Sequence, residues 1–197
     1  MNRRRYLLSV AAGSSVITGC GGTDPATRDH SFRIYTPSSV SDGSREILPY
    51  RFTEQGENTS PPVVIENVPS GTESVFVSIR DVTGREEIPL WLLWNVPLDR
   101  KRIPEAVPNV PVVDGLEGAI QGTNARGVIG YSGPDLNRNY DLPTDEGEGK
   151  GVQIKGYAVE QELGLSPGTT YDEVVNRINQ FDRVSDSQYL MVAERPR

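Results

Sequence analysis

Seven residues constrain the fold of this chain more than any others: Leu90-Trp-Leu-Leu-Trp-Asn-Val96. Side chains alternate across a strand, so Leu90, Leu92, Trp94 and Val96 fall on one face and Trp91 and Leu93 on the other. Both sets are apolar. A strand of that kind has to be covered above and below, which only a central strand of a layered sheet is. A second apolar run, Val75 to Ile79, is β-branched and aromatic and stops at Arg80-Asp81. Between the two runs lies a polar stretch holding Asp81, Arg85, Glu86 and Glu87. This predicts a charged loop joining two core strands, where a rigid scaffold can hold a site.

The rest of the chain is punctuated by turns, with 20 Gly and 15 Pro in 197 residues, which favours many short strands over long helices. Ser31 to Tyr35, Glu46 to Phe52, Pro61 to Ile65, Val152 to Val159 and Tyr189 to Val192 read as strands. Residues 98–119 are polar and carry Pro104, Pro108 and Pro111, and read as a long surface connection. The glycine-rich stretch Gly122 to Pro134 suggests close backbone approach around a pocket. Thr170-Tyr-Asp-Glu173 is a capping box, and Tyr171, Val174, Val175, Ile178 and Phe181 share one helical face. The fold class is therefore mainly β (α+β): one domain over residues 31–197, with one or two helices against a sheet.

The first thirty residues read as processing rather than fold. Arg3-Arg-Arg5 precedes an aromatic residue, a short apolar run to Ile17, and Thr18-Gly19-Cys20. A basic start and so short an apolar core make residues 1–19 a secretory leader of twin-arginine type, too short for a membrane span. Ile17-Thr-Gly-Cys20 reads as a lipobox, with Cys20 as the lipid-modified anchor that holds an exported protein to the outer face of the cell membrane. Residues 20–30 are then a polar tether containing His30, the only histidine. Cys20 is the only cysteine, so an intrachain disulfide is excluded.

Charge and residue counts narrow the function further. The net charge of −7 argues against nucleic acid, which needs a basic face. Only Lys101, Lys150 and Lys155 are lysines, an acid-rich, lysine-poor balance like that of proteins from salt-loving microbes. A Cys/His zinc site is excluded by count. Gly130-Tyr-Ser-Gly-Pro is no nucleophile elbow, and the domain has no histidine to serve as a base. Gly147-Glu-Gly-Lys-Gly lacks the spacing of a phosphate loop. Asp135, Asn137, Asn139, Asp141 and Glu146 have the spacing of a calcium loop, but Tyr140 stands where the sharp turn needs Gly, so a solvated acidic loop is the default. No metal and no cofactor is expected.

Asn58-Thr-Ser-Pro-Pro62, Pro69-Ser-Gly-Thr72, a strand ending in Asp81, Trp91 through Asn95-Val-Pro97, Gly130-Tyr-Ser-Gly-Pro134 and Tyr157-Ala-Val follow one another in this order. Together they resemble the phosphatidylethanolamine-binding protein family, in its small bacterial and archaeal branch related to kinase-inhibitor proteins. The resemblance implies a β-sandwich of a large antiparallel sheet and a smaller one, helices on the other side, a shallow pocket for phosphate-like or carboxylate anions, and no established catalysis. The chain departs from the family pattern where that pocket lies. Asp81 keeps the first Asp of an Asp-Pro-Asp-Ala-Pro run, but Val82-Thr-Gly-Arg85 replace the rest. Leu90 stands at one pocket histidine, and the second falls near Lys150-Gly151.

Two expectations follow. The first is a non-enzymatic, lipid-anchored module binding a small anion or lipid head group near Asp81, Trp91, Tyr131, Pro134 and Lys150, with Tyr131 lending a hydroxyl and Lys150 a cation. The second is an interaction or inhibitor module that meets a kinase, protease or envelope partner through the same loops, with a vestigial pocket. An enzyme is not expected, because the missing histidines leave no base that titrates near neutral pH.

Overall fold

In a computed structural model, which describes residues 31–140, 149–182 and 184–196, the two apolar runs are neighbouring antiparallel strands in the middle of a large sheet. Both extend beyond the runs: β5 is Ser74–Asp81 and β6 is Ile88–Val96. The polar stretch between them is correspondingly a tight six-residue connection, 82–87. The remaining strands are β1 (Arg33–Tyr35), β2 (Val40–Ser41), β3 (Glu46–Leu48), β4 (Val63–Glu66), β7 (Arg102–Ile103), β8 (Val112–Val113), β9 (Ala119–Gln121), β10 (Lys150–Val159) and β11 (Val184–Ala193). The large sheet has eight strands in the order β2-β3-β11-β10-β5-β6-β9-β8, and β1-β4-β7 form a small second sheet. The expected sandwich is present, with one qualification: β3 pairs with β11 in parallel, and the other pairings are antiparallel.

The double coverage follows from the strand pattern. On one face of the large sheet, Val77, Ile79, Trp91, Leu93 and Ile154 pack against Ile34, Ile65 and Ile103 of the small sheet. On the other face, Phe76, Leu92, Trp94 and Val159 pack against Val174 and Ile178 of the one helix described, α1 (Tyr171–Ile178). The helix starts where the capping box predicts, with the Glu173 carboxylate accepting the Thr170 N–H at 2.9 Å and its hydroxyl at 2.7 Å.

Simple alternation fails at two places in β6, and both failures are bulges. Ile79 pairs with Trp91 while Arg80 pairs with Pro89, so Leu90 is an extra residue without a partner on β5. Val77 pairs with Leu93 and Val75 with Val96, which leaves one more extra residue, and Asn95 takes a φ of 56° there. A bulge resets which face the next side chain meets. Leu90 and Val96 therefore join Trp91 and Leu93 in the core between the sheets instead of lying with Leu92 and Trp94.

Two boundaries shift for local reasons. The strand expected over Glu46–Phe52 ends at Leu48, because Pro49 has no N–H for a ladder, and a 3-10 turn over Tyr50–Phe52 follows. Residues 98–119 are more than a surface connection. They carry β7, β8 and a 3-10 turn at Asp114–Leu116, with Ile103, Val107, Val113 and Leu116 buried. A buried polar relay pins them: Trp91 Nε1 donates to Gln121 Oε1 at 2.6 Å, and Gln121 Nε2 donates to the carbonyls of Pro108 and Val110, each at 2.7 Å. Replacing Trp91 with Phe leaves the Gln121 oxygen without its donor in the core. We expect W91F to lose about 1–3 kcal/mol, read as a lower urea midpoint at unchanged slope. A loss below about 0.5 kcal/mol, the range of ordinary surface changes, would contradict the relay.

Candidate functional site

At the bulge around Leu90, two main-chain carbonyls of β6 meet neighbouring loops. The Leu90 carbonyl accepts the Ser132 N–H at 2.9 Å, and the Pro89 carbonyl accepts the Ala125 N–H at 2.8 Å. These two bonds hold the glycine-rich segment against the end of the sheet on either side of a cavity of about 290 Å³. Ile88, Pro89 and Leu90 form its apolar part, Ala125 and Arg126 one side, Ser132 and Gly133 the other, with Asp81, Asp135, Arg138 and Tyr140 completing it. Leu90, Asp81 and Ser132 are buried and Arg138 is exposed, so the cation lies at the mouth.

Asp81, at the end of β5, is 2% exposed and hydrogen-bonded through both oxygens. Oδ1 accepts the Thr83 N–H at 2.9 Å and the Thr83 hydroxyl at 2.5 Å, and Oδ2 accepts the Tyr140 hydroxyl at 2.5 Å. The residues that follow Asp81 are thus matched to Tyr140. Thr83 caps the carboxylate, and Gly84 leaves room for the ring: a Cβ there would stand 2.6 Å from Tyr140 Cδ1. Burial first, and then the Asp81 hydrogen bond and charge, push the Tyr140 phenol well above its ordinary range, so it remains a donor to Asp81.

The cations divide unequally. Arg126 is paired with Glu54 and lies 3.6 Å from Asp135. Arg138 places its guanidinium 5.5 Å from the centre of the Tyr140 ring, and no acidic partner meets it among the described residues. Asp135 is occupied in turn: its Oδ1 accepts Gln55 Nε2 at 2.7 Å and the Asn137 N–H at 2.9 Å. It starts the turn that presents Arg138.

Of the five residues expected to bind, the structure brings only Asp81 to the cavity. Trp91 is fully buried, edge-on to Tyr131 at 6.1 Å between ring centres, and its indole N–H is spent on Gln121. Tyr131 is 2% exposed and donates its hydroxyl to the Phe52 carbonyl at 2.6 Å, so that hydroxyl serves the core; burial raises its phenol far above the ordinary value. Pro134 is buried and its carbonyl accepts the Glu54 N–H at 3.2 Å, which ties the wall to the segment after Phe52. Lys150 lies behind Tyr140, with Nζ 4.6 Å from the ring centre and donating to the Arg138 carbonyl. It supports the mouth without lining it.

Sequence reasoning missed Arg126, Arg138 and Tyr140. The available signal was an Arg at a non-ligating position inside Asp135-Leu-Asn-Arg-Asn-Tyr140, a cation in the loop next to the glycine-rich segment. Among the described residues no group of three His, Cys, Asp or Glu gathers as a metal site. Asp141 and Glu146 of the calcium-loop spacing, and Cys20 with the whole leader, lie outside the described residues.

Because the Tyr131 hydroxyl is a core group, Y131F should cost about 1–3 kcal/mol of stability by leaving a buried carbonyl unpaired, while ligand affinity changes less than twofold. Urea unfolding and calorimetry on the same variant check both halves. A large loss of affinity at unchanged stability would place the hydroxyl back in the site.

Comparison with known proteins agrees with this architecture. The family model described as phosphatidylethanolamine-binding protein matches residues 37–141. UPF0098 protein PH1269 of Pyrococcus horikoshii is 30% identical over 175 residues, covering 86% of this chain and 80% of its own. Two solved structures share the fold with a TM-score of 0.66. One is the putative phosphatidylethanolamine-binding protein homolog CT736 of Chlamydia trachomatis, 20% identical, covering 85% of this chain and 99% of its own. The other is YbcL of E. coli, described as a new member of the mammalian family, 21% identical and covering 84% and 99%. With the family model matching more than half of the chain and a relative 30% identical over most of both lengths, the chain belongs to the phosphatidylethanolamine-binding protein family.

Proposed function

We propose that this protein is a non-enzymatic binding module that holds a small anion, or the anionic part of a lipid head group, in the cavity beside Asp81. The observation that carries this reading is Arg138, a guanidinium at the mouth of a preformed cavity with no acidic partner among the described residues. A guanidinium offers a planar fork of donors that matches an oxyanion, and it stays charged at any working pH. Arg138 would take over the task of the two family imidazoles, whose positions hold Leu90 and the Lys150-Gly151 pair. Among the described residues the cavity lining has no His, Cys or Lys, which supports binding over catalysis. Lipid attachment at Cys20 belongs to the same proposal and would place the module at the outer face of the membrane.

The alternative of a protein-interaction module through Glu86 and Glu87 has less support. Glu87 is committed to an ion pair with the buried Arg80, which also donates to the Tyr171 hydroxyl at 2.7 Å. Among the described residues, only Glu86 and Arg85 remain as exposed charges without such a tie on that turn.

Calorimetric titration of the full chain, carrying C20S to keep it free of lipid, tests the reading with acetate, inorganic phosphate and phosphorylethanolamine as probes. At least one should bind saturably. R138Q should weaken it about tenfold or more, the loss of a charge-assisted hydrogen bond, whereas R126Q should weaken it less. Since Arg138 is exposed, affinity should also fall between 0.1 M and 1 M salt as screening sets in. Equal affinity in wild type and R138Q would contradict the proposal.

A further inference from the structure

The donors that remain free around the cavity decide which anion it takes. This step rests on the binding reading above and concerns only the class of ligand. A phosphate monoester presents three oxygens and up to two negative charges, and protein sites meet such groups with clusters of backbone N–H groups and several cations. The glycine-rich wall here looks suited to that, yet its N–H groups are already spent. Tyr131 N–H donates to Asn109 Oδ1 at 2.9 Å, Ser132 N–H to the Leu90 carbonyl at 2.9 Å, and Gly133 N–H to Asn58 Oδ1 at 2.7 Å; Pro134 has none. Across the cavity, Ala125 N–H is bonded to the Pro89 carbonyl and Arg126 N–H to Asn124 Oδ1. At the mouth, Arg138 N–H is bonded to the Asp135 carbonyl.

The charged groups point the same way. Arg126 is neutralised by Glu54 and Asp135, and the Tyr140 hydroxyl is given to Asp81. Among the described residues, Arg138 and the Ser132 hydroxyl remain. The carboxylates of Asp81 and Asp135 border the same space, and their repulsion of a dianion is twice that of a monoanion at equal distance. Behind the cation the surface is hydrocarbon: Ile88, Pro89 and Leu90. At about 290 Å³ the cavity sits at the small end of ligand pockets.

We propose that the site has become selective for small monocarboxylates with an apolar tail. The carboxylate lies on the Arg138 fork at the mouth, and the hydrocarbon packs against Leu90, Ile88 and Pro89. Its occupant is an amphiphilic organic acid rather than a phosphate ester.

A homologous series separates this from the broader reading. The full chain with C20S is titrated with acetate, butyrate, hexanoate and phosphorylethanolamine, and thermal melting confirms that each variant is folded. Affinity should rise about fourfold for each methylene buried until the cavity is filled, so hexanoate should bind more than tenfold tighter than acetate or phosphorylethanolamine. R138Q should weaken hexanoate about tenfold, and L90H should reverse the order in favour of phosphorylethanolamine. Tighter binding of phosphorylethanolamine than of hexanoate by the wild type would overturn the carboxylate assignment and leave the anion site standing. Hexanoate binding that R138Q leaves unchanged would also overturn it, since the acid would then sit elsewhere. Absence of saturable binding by all four probes would overturn both readings.

Discussion

One extra residue in a central strand organises this molecule. Strand β6 carries Leu90 where its partner β5 has nothing to oppose it, and the strand must kink there to keep the rest of the ladder in register. At the kink the carbonyls of Pro89 and Leu90 accept the Ala125 and Ser132 N–H groups. Those bonds fix the two sides of the cavity at a set separation. Behind them, Asn109 holds both main-chain polar groups of Tyr131, and a Cβ on Gly133 would run into the Phe52 carbonyl, so the wall has little freedom to collapse inwards. A rigid wall on a core strand is the setting in which a small site keeps its shape without a ligand.

Charge then decides what that shape can hold. The cavity and its surroundings include more acid than free base, and each acid is tied: Glu54 to Arg126, Asp135 to Gln55 and its own turn, Asp81 to Thr83 and Tyr140. Burying Asp81 without those donors would be costly. Thr83, Gly84 and Tyr140 therefore belong together. One caps the carboxylate, one makes space, and one closes the remaining oxygen. Among the described residues the cation left over is Arg138, carried on a turn that Asp135 initiates and Lys150 supports from below. The cavity thus combines an exposed arginine at its mouth with a hydrocarbon interior of Ile88, Pro89 and Leu90.

Much of the architecture was legible in the sequence because it rests on periodicity. The doubly apolar Leu90–Val96 run announced a central strand, and the capping box at Thr170 placed the helix. The bulges were not legible: nothing in the composition of β6 says that Leu90 and Asn95 are supernumerary, and without that knowledge Leu90 and Val96 fall on the wrong face. Glu46–Phe52 was overextended for want of weight on Pro49, and 98–119 was read as surface because its prolines mask the buried Ile103, Val107 and Leu116. At the site, residue type suggested chemistry that burial removed. A tyrosine hydroxyl reads as a ligand donor until Tyr131 is seen to spend it on Phe52. Lys150 reads as the available cation until its ammonium is seen behind Tyr140. Arg138 was hidden by the acids around it.

The most direct test of a site rebuilt around Arg138 is crystallographic. Crystals of the protein soaked with 4-bromobutyrate, measured at the bromine absorption edge, locate the halogen by its anomalous signal without any assumption about the pocket. The account predicts a bromine peak against Leu90 and Ile88, with the carboxylate on the Arg138 guanidinium. A peak confined to the apolar groove between Val107, Val110 and Val112, or a carboxylate bound away from Arg138, would contradict it.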